Sequence, residues 1–554
     1  MTRTPLFAFI ARALRSAGHS RHTDESVSEF VERVSEQRPI SRRQFAATTA
    51  AAASIAALDA CMPRASRRHG ANRPVIIVGA SIAGLTAAYR LRQAGVPVRV
   101  FEAQNRVGGR MFSLRNFFAD GQVCELGGEL IDTEHEQIRK LAVELGITLD
   151  DLAQEDPAVT RDVYFFDGRR RSEAEVVEAF RPIAAAIERD LATIGGDGSV
   201  TYRTPNGAEL LDRMTIAQWF DRAGATGWVR ELLDVAYTTE YGIETDRQSA
   251  LNLLLLIDPK PDPFRIFGSS DERFHVRGGN DLITTALAGR VTDSIELGTR
   301  LDAVASRADG SFTCAMSRGA TSFDIAADHV LLAIPFTLLR QVRLNVALPA
   351  VKRRAIAELG YGTNAKLMVG FSDRVWRTTH RSNGSTLSDL PSQLTRETSR
   401  AQAGRSGIIT NFVGGDHGLE IGRGTAAEQA RLLTADLERI FPGVSAARAG
   451  MKEVRFHWPS FPWTLGSYAG YLPGQWTGIC GAEAESVGRL HFAGEHCSLN
   501  AQGFMEGGCE TGQMAAEAIL TGLGVRRAAA WYGPQRRVES ARRARGPKRL
   551  AGVA

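Results

Sequence analysis

The sequence predicts an α/β fold with a Rossmann-like unit, and three stretches carry that reading. Val75 to Val78 is a continuous β-branched run suited to a strand buried on both faces; a glycine turn and helical spacing from Leu85 to Leu91 follow, then an apolar strand from Pro97 that ends in the acid Glu102. Residues 136 to 265 are rich in helical periodicity and hold Trp219 and Trp228. Ser294 to Ala326 alternates apolar and polar residues as a β-meander does, and Val330 to Pro335 reads as a buried strand stopped by proline.

Length and composition set the frame. A chain of 554 residues holds more than one core, so two or three lobes are expected. With 44% hydrophobic and 23% charged residues it has the make-up of a soluble globular protein, without repeats or low-complexity tracts. The net charge of +5 is unevenly spread: nine basic groups face one acid in 526–554 and eight face six in 1–60, which leaves 61–525 at −5. An acidic body is no nucleic-acid groove, and the arginine-rich end reads as a solvated, disordered tail. The six cysteines show no CxxC pairing, so neither a zinc site nor a disulfide framework is implied; Cys497 and Cys509 are either a pair or two buried thiols.

Ser41-Arg42-Arg43-Gln44-Phe45, followed by the uncharged stretch Ala46 to Leu58, resembles a twin-arginine signal, read by a translocase that passes folded, cofactor-loaded proteins. Leu58-Asp59-Ala60-Cys61 resembles a lipoprotein cleavage box, with Asp59 a departure. Export to the periplasm or cell envelope is the expectation. The apolar run is too short for a transmembrane helix, so the mature chain is expected to be soluble or anchored through Cys61.

The chemistry begins at Gly79-Ala80-Ser81-Ile82-Ala83-Gly84. Gly79 makes the tight turn, the helix N-terminus offers N–H groups to a pyrophosphate, and Gly84 lets helix and strand approach. Glu102, 23 residues after Gly79, stands where an acid accepts from an adenosine ribose. Ser81 departs from the second glycine of the pattern. Ala103-Gln104-Asn105-Arg106-Val107-Gly108-Gly109-Arg110 comes next: glycines that admit close backbone approach, and two arginines with charge for a diphosphate.

Glu-x(3)-Arg-x-Gly-Gly-Arg after a dinucleotide turn resembles the flavin amine oxidase family, with relatives among desaturases and protoporphyrinogen oxidases. The resemblance returns in Ala493-Gly494-Glu495-His496 and in Gln502-Gly503-Phe504-Met505-Glu506-Gly507-Gly508, and spans Pro74 to Leu520. It implies a glutathione-reductase-type flavin fold: a discontinuous Rossmann-like FAD-binding domain (72–135, 265–335 and 480–522) and an α+β substrate-binding domain (136–264 and 336–479), flanked by the extension 1–60 and the tail 525–554. The implied FAD contacts are Gly79, Ser81, Ile82, Ala83, Gly84, Glu102, Ala103, Arg106, Gly109, Arg110, Gly128, Glu129, Trp463, Gly494, Glu495, Gly503, Phe504 and Met505.

Trp458 to Gly474 looks like the family's strand under the flavin. Ser467 stands where monoamine oxidases carry the cysteine that bonds the flavin, so FAD is expected to be non-covalent. Tyr468 matches one wall of the family's aromatic cage and Phe504 takes the place of the other, a pair that strips water from an amine and orients its lone pair. Lys366, in Gly362-Thr363-Asn364-Ala365-Lys366, matches the lysine that family members place near flavin N5 through a water.

The resemblance implies oxidation of an amine to an imine, with oxygen reduced to hydrogen peroxide. An acid at the position of Asp132 holds a second ammonium in polyamine oxidases, which favours amines. An L-amino-acid oxidase needs a cation for the carboxylate, and Arg247 and Arg273 are the candidates. A desaturase acting on an apolar substrate and a flavin-stabilised envelope subunit are the rivals. A small-molecule substrate, O2, the translocase and a second copy of the chain are the partners considered; no metal or nucleic acid is expected.

Overall fold

Four β-branched residues, Val75–Val78 (β1), form the central strand of a five-stranded parallel sheet. Helix α1 (Ile82–Gln93) follows, then β2 (Val98–Phe101), β3 (Ile295–Glu296), β4 (Val330–Leu332) and β5 (Leu490–Phe492). The spatial order β5-β4-β1-β2-β3 is that of a doubly wound sheet, which reverses its direction of growth at β1. Every pairing is parallel, with Ile76 opposite Val330 and Arg99. This computed structural model describes residues 73–154 and 159–525, so the twin-arginine and Cys61 readings and the basic tail lie outside the described residues.

Alternate side chains of β1 enter different cores, as a strand covered on both faces requires. Val75 and Ile77 pack with α1 and with the helix Met505–Gly522 (α2); Ile76 and Val78 pack with Phe312, Met316 and Leu332 on the side of the antiparallel meander Arg300–Ser306, Phe312–Arg318 and Thr321–Ala327. Ile76 and Ile77 are wholly buried, each contributing roughly 1.5–3 kcal/mol by leaving water.

A seven-stranded sheet builds the second lobe, in the order Glu453–His457, Ala365–Phe371, Gly407–Val413, Leu394–Glu397, Ser382–Ser388, Thr160–Phe166, Arg169–Arg171. Ala365–Phe371 is buried at every position. The expected helices within 136–265 are present, among them Glu173–Leu191, started by a Ser172/Glu175 capping box, and Gly227–Tyr241, stopped by Gly242 at φ +66°. Strands Leu149–Asp151, Thr160–Phe166 and Arg169–Arg171 also fall there, which helical periodicity did not signal.

The strand expected over Trp458 to Gly474 is corrected. A 3-10 turn, Trp458–Ser460, leads into irregular chain held by one bridge between Tyr361 and Ala469. Pro459, Pro462 and Pro473 lack the ladder donor, and Leu465 and Gly466 sit at φ +52° and +153°. Cys497 and Cys509 are two free, buried thiols.

Candidate active site

Where the sheet reverses at β1, the backbone leaves room that only glycine provides. A Cβ on Gly79 would lie 2.5 Å from the Ala333 carbonyl oxygen, and one on Gly84 would lie 1.9 Å from that of Gly79. Ser81 stands at the N-cap of α1 but does not cap it; its hydroxyl donates to the Ala333 carbonyl at 3.3 Å. The first N–H groups of α1 are therefore left to the cavity, as anion binding at a helix start requires. Glu102 is buried and pinned, accepting from the Ala80 and Gln104 amides at 2.8 and 2.9 Å; burial raises its pKa.

The two arginines of the glycine pair part company. Arg110 lines the cavity and donates to Glu495 Oε1 and the Ser467 carbonyl, both at 2.8 Å; Glu495 in turn accepts from the Gly503 amide at 2.8 Å. Arg106 is a correction: it does not line the cavity, but lies over the Phe112 ring and donates to the carbonyls of Val107, Gly109 and Met111. A positive charge beside a glycine pair reads equally as a phosphate ligand and as a brace for the loop, and here it braces.

One cavity of about 2760 Å³ runs from this turn into the second lobe. It exceeds the roughly 300–1,000 Å³ of a site for one small ligand and suits a dinucleotide plus a substrate. Ile82, Ala83, Ala103, Gly109, Gly128, Glu129, Trp463, Gly494, Gly503, Phe504 and Met505 all line it, as do Gly79, Ser81 and Glu102. Gly84 stays behind the wall in its packing role. The Met505 side chain would come within 2.8 Å of a Cβ on Gly128, so the start of α2 presses on that turn. Glycine cradle, uncapped helix start and cavity volume together fit FAD.

At the inner end, Lys366 is buried despite its place on a strand. Its ammonium donates to Glu129 Oε2 at 2.6 Å and to the carbonyls of Gly127 and Glu125 at 2.8 and 3.3 Å. All three donors thus have protein acceptors. Burial alone raises the Glu129 carboxyl; the Lys366 ammonium, with hydrogen bonds from Lys366 and Thr398, brings it down to about 2. Ser467 is buried and donates to Asn364 Oδ1 at 2.7 Å.

Tyr468 and Phe504 both face the cavity. The Tyr468 hydroxyl donates to the carbonyl of Glu240, and the Phe504 ring packs on His135 with centroids 5.0 Å apart. Burial lowers the His135 pKa to about 4, so it is a neutral wall. Asp132 is buried beside it and accepts from the Glu272 amide at 2.6 Å; burial, then Asp271, raises its pKa against that hydrogen bond.

Three residues that the sequence did not single out complete this wall. Glu240, from the last turn of Gly227–Tyr241, Glu272, from the loop before Phe274–Val276, and Arg396, from Leu394–Glu397, all line the cavity. Arg396 is ion-paired with Glu272. Burial, reinforced by Glu272 and Asp132, lifts Glu240 to about 7 against the pull of Arg396. Arg247 and Arg273 are corrected as carboxylate partners: both lie outside the cavity wall, paired with Asp416 and Asp151 at 3.0 and 2.7 Å.

Comparison with known proteins agrees with this geometry. The family model for flavin containing amine oxidoreductases matches residues 82–520. A putative L-amino-acid oxidase of Bacillus subtilis is 25% identical over 80% of this chain and 94% of its own length, and a flavin-containing amine oxidase of Danio rerio is 25% identical over 81% and 86%. Cyclohexylamine oxidase from Brevibacterium oxydans superimposes with a TM-score of 0.71 at 24% identity over 81% of this chain and 99% of that one; putrescine oxidase bound to putrescine gives 0.69 at 21%, with the same coverage. The chain belongs to the flavin-containing amine oxidoreductase family. It is an FAD-dependent oxidoreductase with the flavin-binding fold of those oxidases.

Proposed function

We propose that the protein oxidises an amine carrying a second positive charge, with oxygen as electron acceptor, and that it is exported through the Arg42-Arg43 signal. The observation that carries the substrate reading is the charge of the cavity. Acidic side chains on its wall outnumber lysines and arginines fourteen to eight, and among the described residues Asp132 and Glu240, both beside the aromatic cage, have no lysine or arginine within salt-bridge distance. Two uncompensated carboxyls in a low-dielectric pocket favour a ligand with two ammonium groups and disfavour one with a carboxylate. Arg396 pulls on both carboxyls but is itself ion-paired with Glu272, which opposes that pull at Glu240.

FAD, which Gly79, Ser81, Glu102, Gly109, Arg110, Glu495 and Gly503 would hold, would supply the two-electron acceptor for oxidation of the amine to an imine, with oxygen as the final acceptor. Tyr468 and Phe504 exclude water around the reacting nitrogen and orient its lone pair. Asp132 holds the distal ammonium. Lys366, through Glu129 and the Glu125 and Gly127 carbonyls, fixes the turn on the cavity wall.

The test is spectroscopic. The purified holoprotein, mixed anaerobically with diamines, monoamines and L-amino acids, is expected to lose its flavin absorbance fastest with diamines and to regain it in air with release of peroxide. Bleaching by L-amino acids alone overturns the substrate reading; reduction without peroxide in air overturns oxygen as acceptor.

A further inference from the structure

Flavin chemistry on an amine needs a neutral nitrogen, yet an aliphatic amine reaches the enzyme as ammonium. A substrate that binds as ammonium therefore has to lose a proton before the carbon–hydrogen bond breaks, and this requirement rests on the amine reading above. Two neighbours are unsuited to it. Lys366 is a cation whose donors are all engaged, and Asp132 is occupied by the Glu272 amide and by His135 at 3.4 Å.

Glu240 differs from both. Glu240 lines the cavity, its carboxyl has neither a hydrogen bond nor an ion pair among the described residues, and its own carbonyl holds the Tyr468 hydroxyl. The same residue thus anchors one wall of the cage and presents a carboxyl beside it. Gly242, at φ +66°, ends the helix two residues later, so Glu240 stands where the helix delivers its last turn to the cavity. Glu272 and Asp132 face it as acids and Arg396 as the opposing cation; Tyr237 and Tyr241 from its own helix and Tyr468, bonded to its carbonyl, complete its surroundings.

We propose that Glu240 is the proton acceptor that converts the bound substrate ammonium into the reactive amine. The N–H bond breaks, its electron pair stays on nitrogen, and the proton goes to a Glu240 carboxylate oxygen. No redox partner is consumed in this step. A carboxyl raised to about 7 matches the task, being ionised above neutrality and basic enough to hold the proton.

The test is the pH profile of anaerobic flavin reduction in the wild-type holoenzyme and in Glu240→Gln, with a diamine as probe. At pH 7 the variant is expected to reduce its flavin on the order of 10²-fold more slowly at saturating amine. The deficit should shrink as pH rises, about tenfold per unit, because free amine then binds already deprotonated. Unchanged flavin absorbance and melting temperature show that E240Q is folded and loaded; if it is not, Glu240→Asp, which keeps the carboxyl, should retain the wild-type acid limb. An E240Q profile parallel to wild type, or a KM increase without any pH rescue of the limiting rate, overturns the assignment in favour of a charge anchor. A wild-type flavin that no amine bleaches overturns the amine reading and this assignment with it.

Discussion

Lys366 and Glu129 form a buried ion pair, Nζ to Oε2 at 2.6 Å, with side chains 7% and 12% exposed. Lys366 stands on a buried strand of the seven-stranded sheet; Glu129 closes the segment after the short strand Cys124–Glu125, and the Gly127 carbonyl shares the same ammonium. One side chain thus ties the turn at Gly127–Gly128 to the sheet. Breaking a buried pair by removing one partner strands the other charge.

Lys366→Met should therefore destabilise the protein by about 3–5 kcal/mol in chemical denaturation, and a K366M/E129Q double variant should recover part of that loss. Full additivity of the two single changes would show that they do not interact. The pair also sets an acid limit. The Glu129 carboxyl is held at about 2, below its ordinary 4.5. Its contribution, on the order of 3 kcal/mol, is present above pH 4.5 and is lost as pH falls towards 2. Wild type should show that loss and Glu129→Gln should not.

Gly84 tests the phosphate turn. A methyl group there meets the Gly79 carbonyl oxygen at 1.9 Å, and both positions belong to backbone that cannot yield without moving α1 off β1. Gly84→Ala is expected to purify without flavin and to melt several degrees lower; a yellow protein of wild-type stability would remove Gly84 from the site.

How much of this was legible in the sequence follows from how local each signal is. The turn Gly79–Gly84, the acid Glu102 and the glycines near Gly503 act through their own backbone, so their spacing carries their role. Glu240, Glu272 and Arg396 act only together. They arrive from a helix, a loop and a strand, each with polar neighbours, and no local spacing pattern marks any one of them. Arg396 had the weakest signal, a cation in the run Thr395-Arg396-Glu397-Thr398, but strand pairing aims it inward. Arg106, Arg247 and Arg273 failed for the complementary reason: an arginine's partner is set by tertiary contacts, and theirs are a loop's carbonyls, Asp416 and Asp151.

Asp132 tests the distal charge. It is buried, and burial first, then the neighbouring Asp271, raises its pKa. Asp132→Asn should raise the KM for a diamine by about 1–2 kcal/mol of lost binding, roughly tenfold, and leave that for a monoamine within about twofold. Equal effects on both would sink the role. The chain-length dependence of KM gives a second reading, since the optimum seen in wild type should flatten in D132N.

The pair Arg396–Glu272 separates amine from amino-acid chemistry. Glu272 faces the cavity with 36% of its side chain exposed, so the pair is partly solvated, and Arg396→Met should cost about 1–3 kcal/mol, less than a fully buried pair. If Arg396 serves only to neutralise Glu272, R396M keeps diamine-driven flavin reduction, and R396M/E272Q regains the lost stability. If Arg396 instead receives a substrate carboxylate, R396M selectively loses reduction by L-amino acids, the effect exceeds tenfold in kcat/KM, and E272Q enhances that activity by releasing the guanidinium. The charge balance around Asp132 and Glu240 predicts the first pattern: either acid would meet a carboxylate-bearing substrate with repulsion, and Arg396 would have to give up Glu272 to receive it.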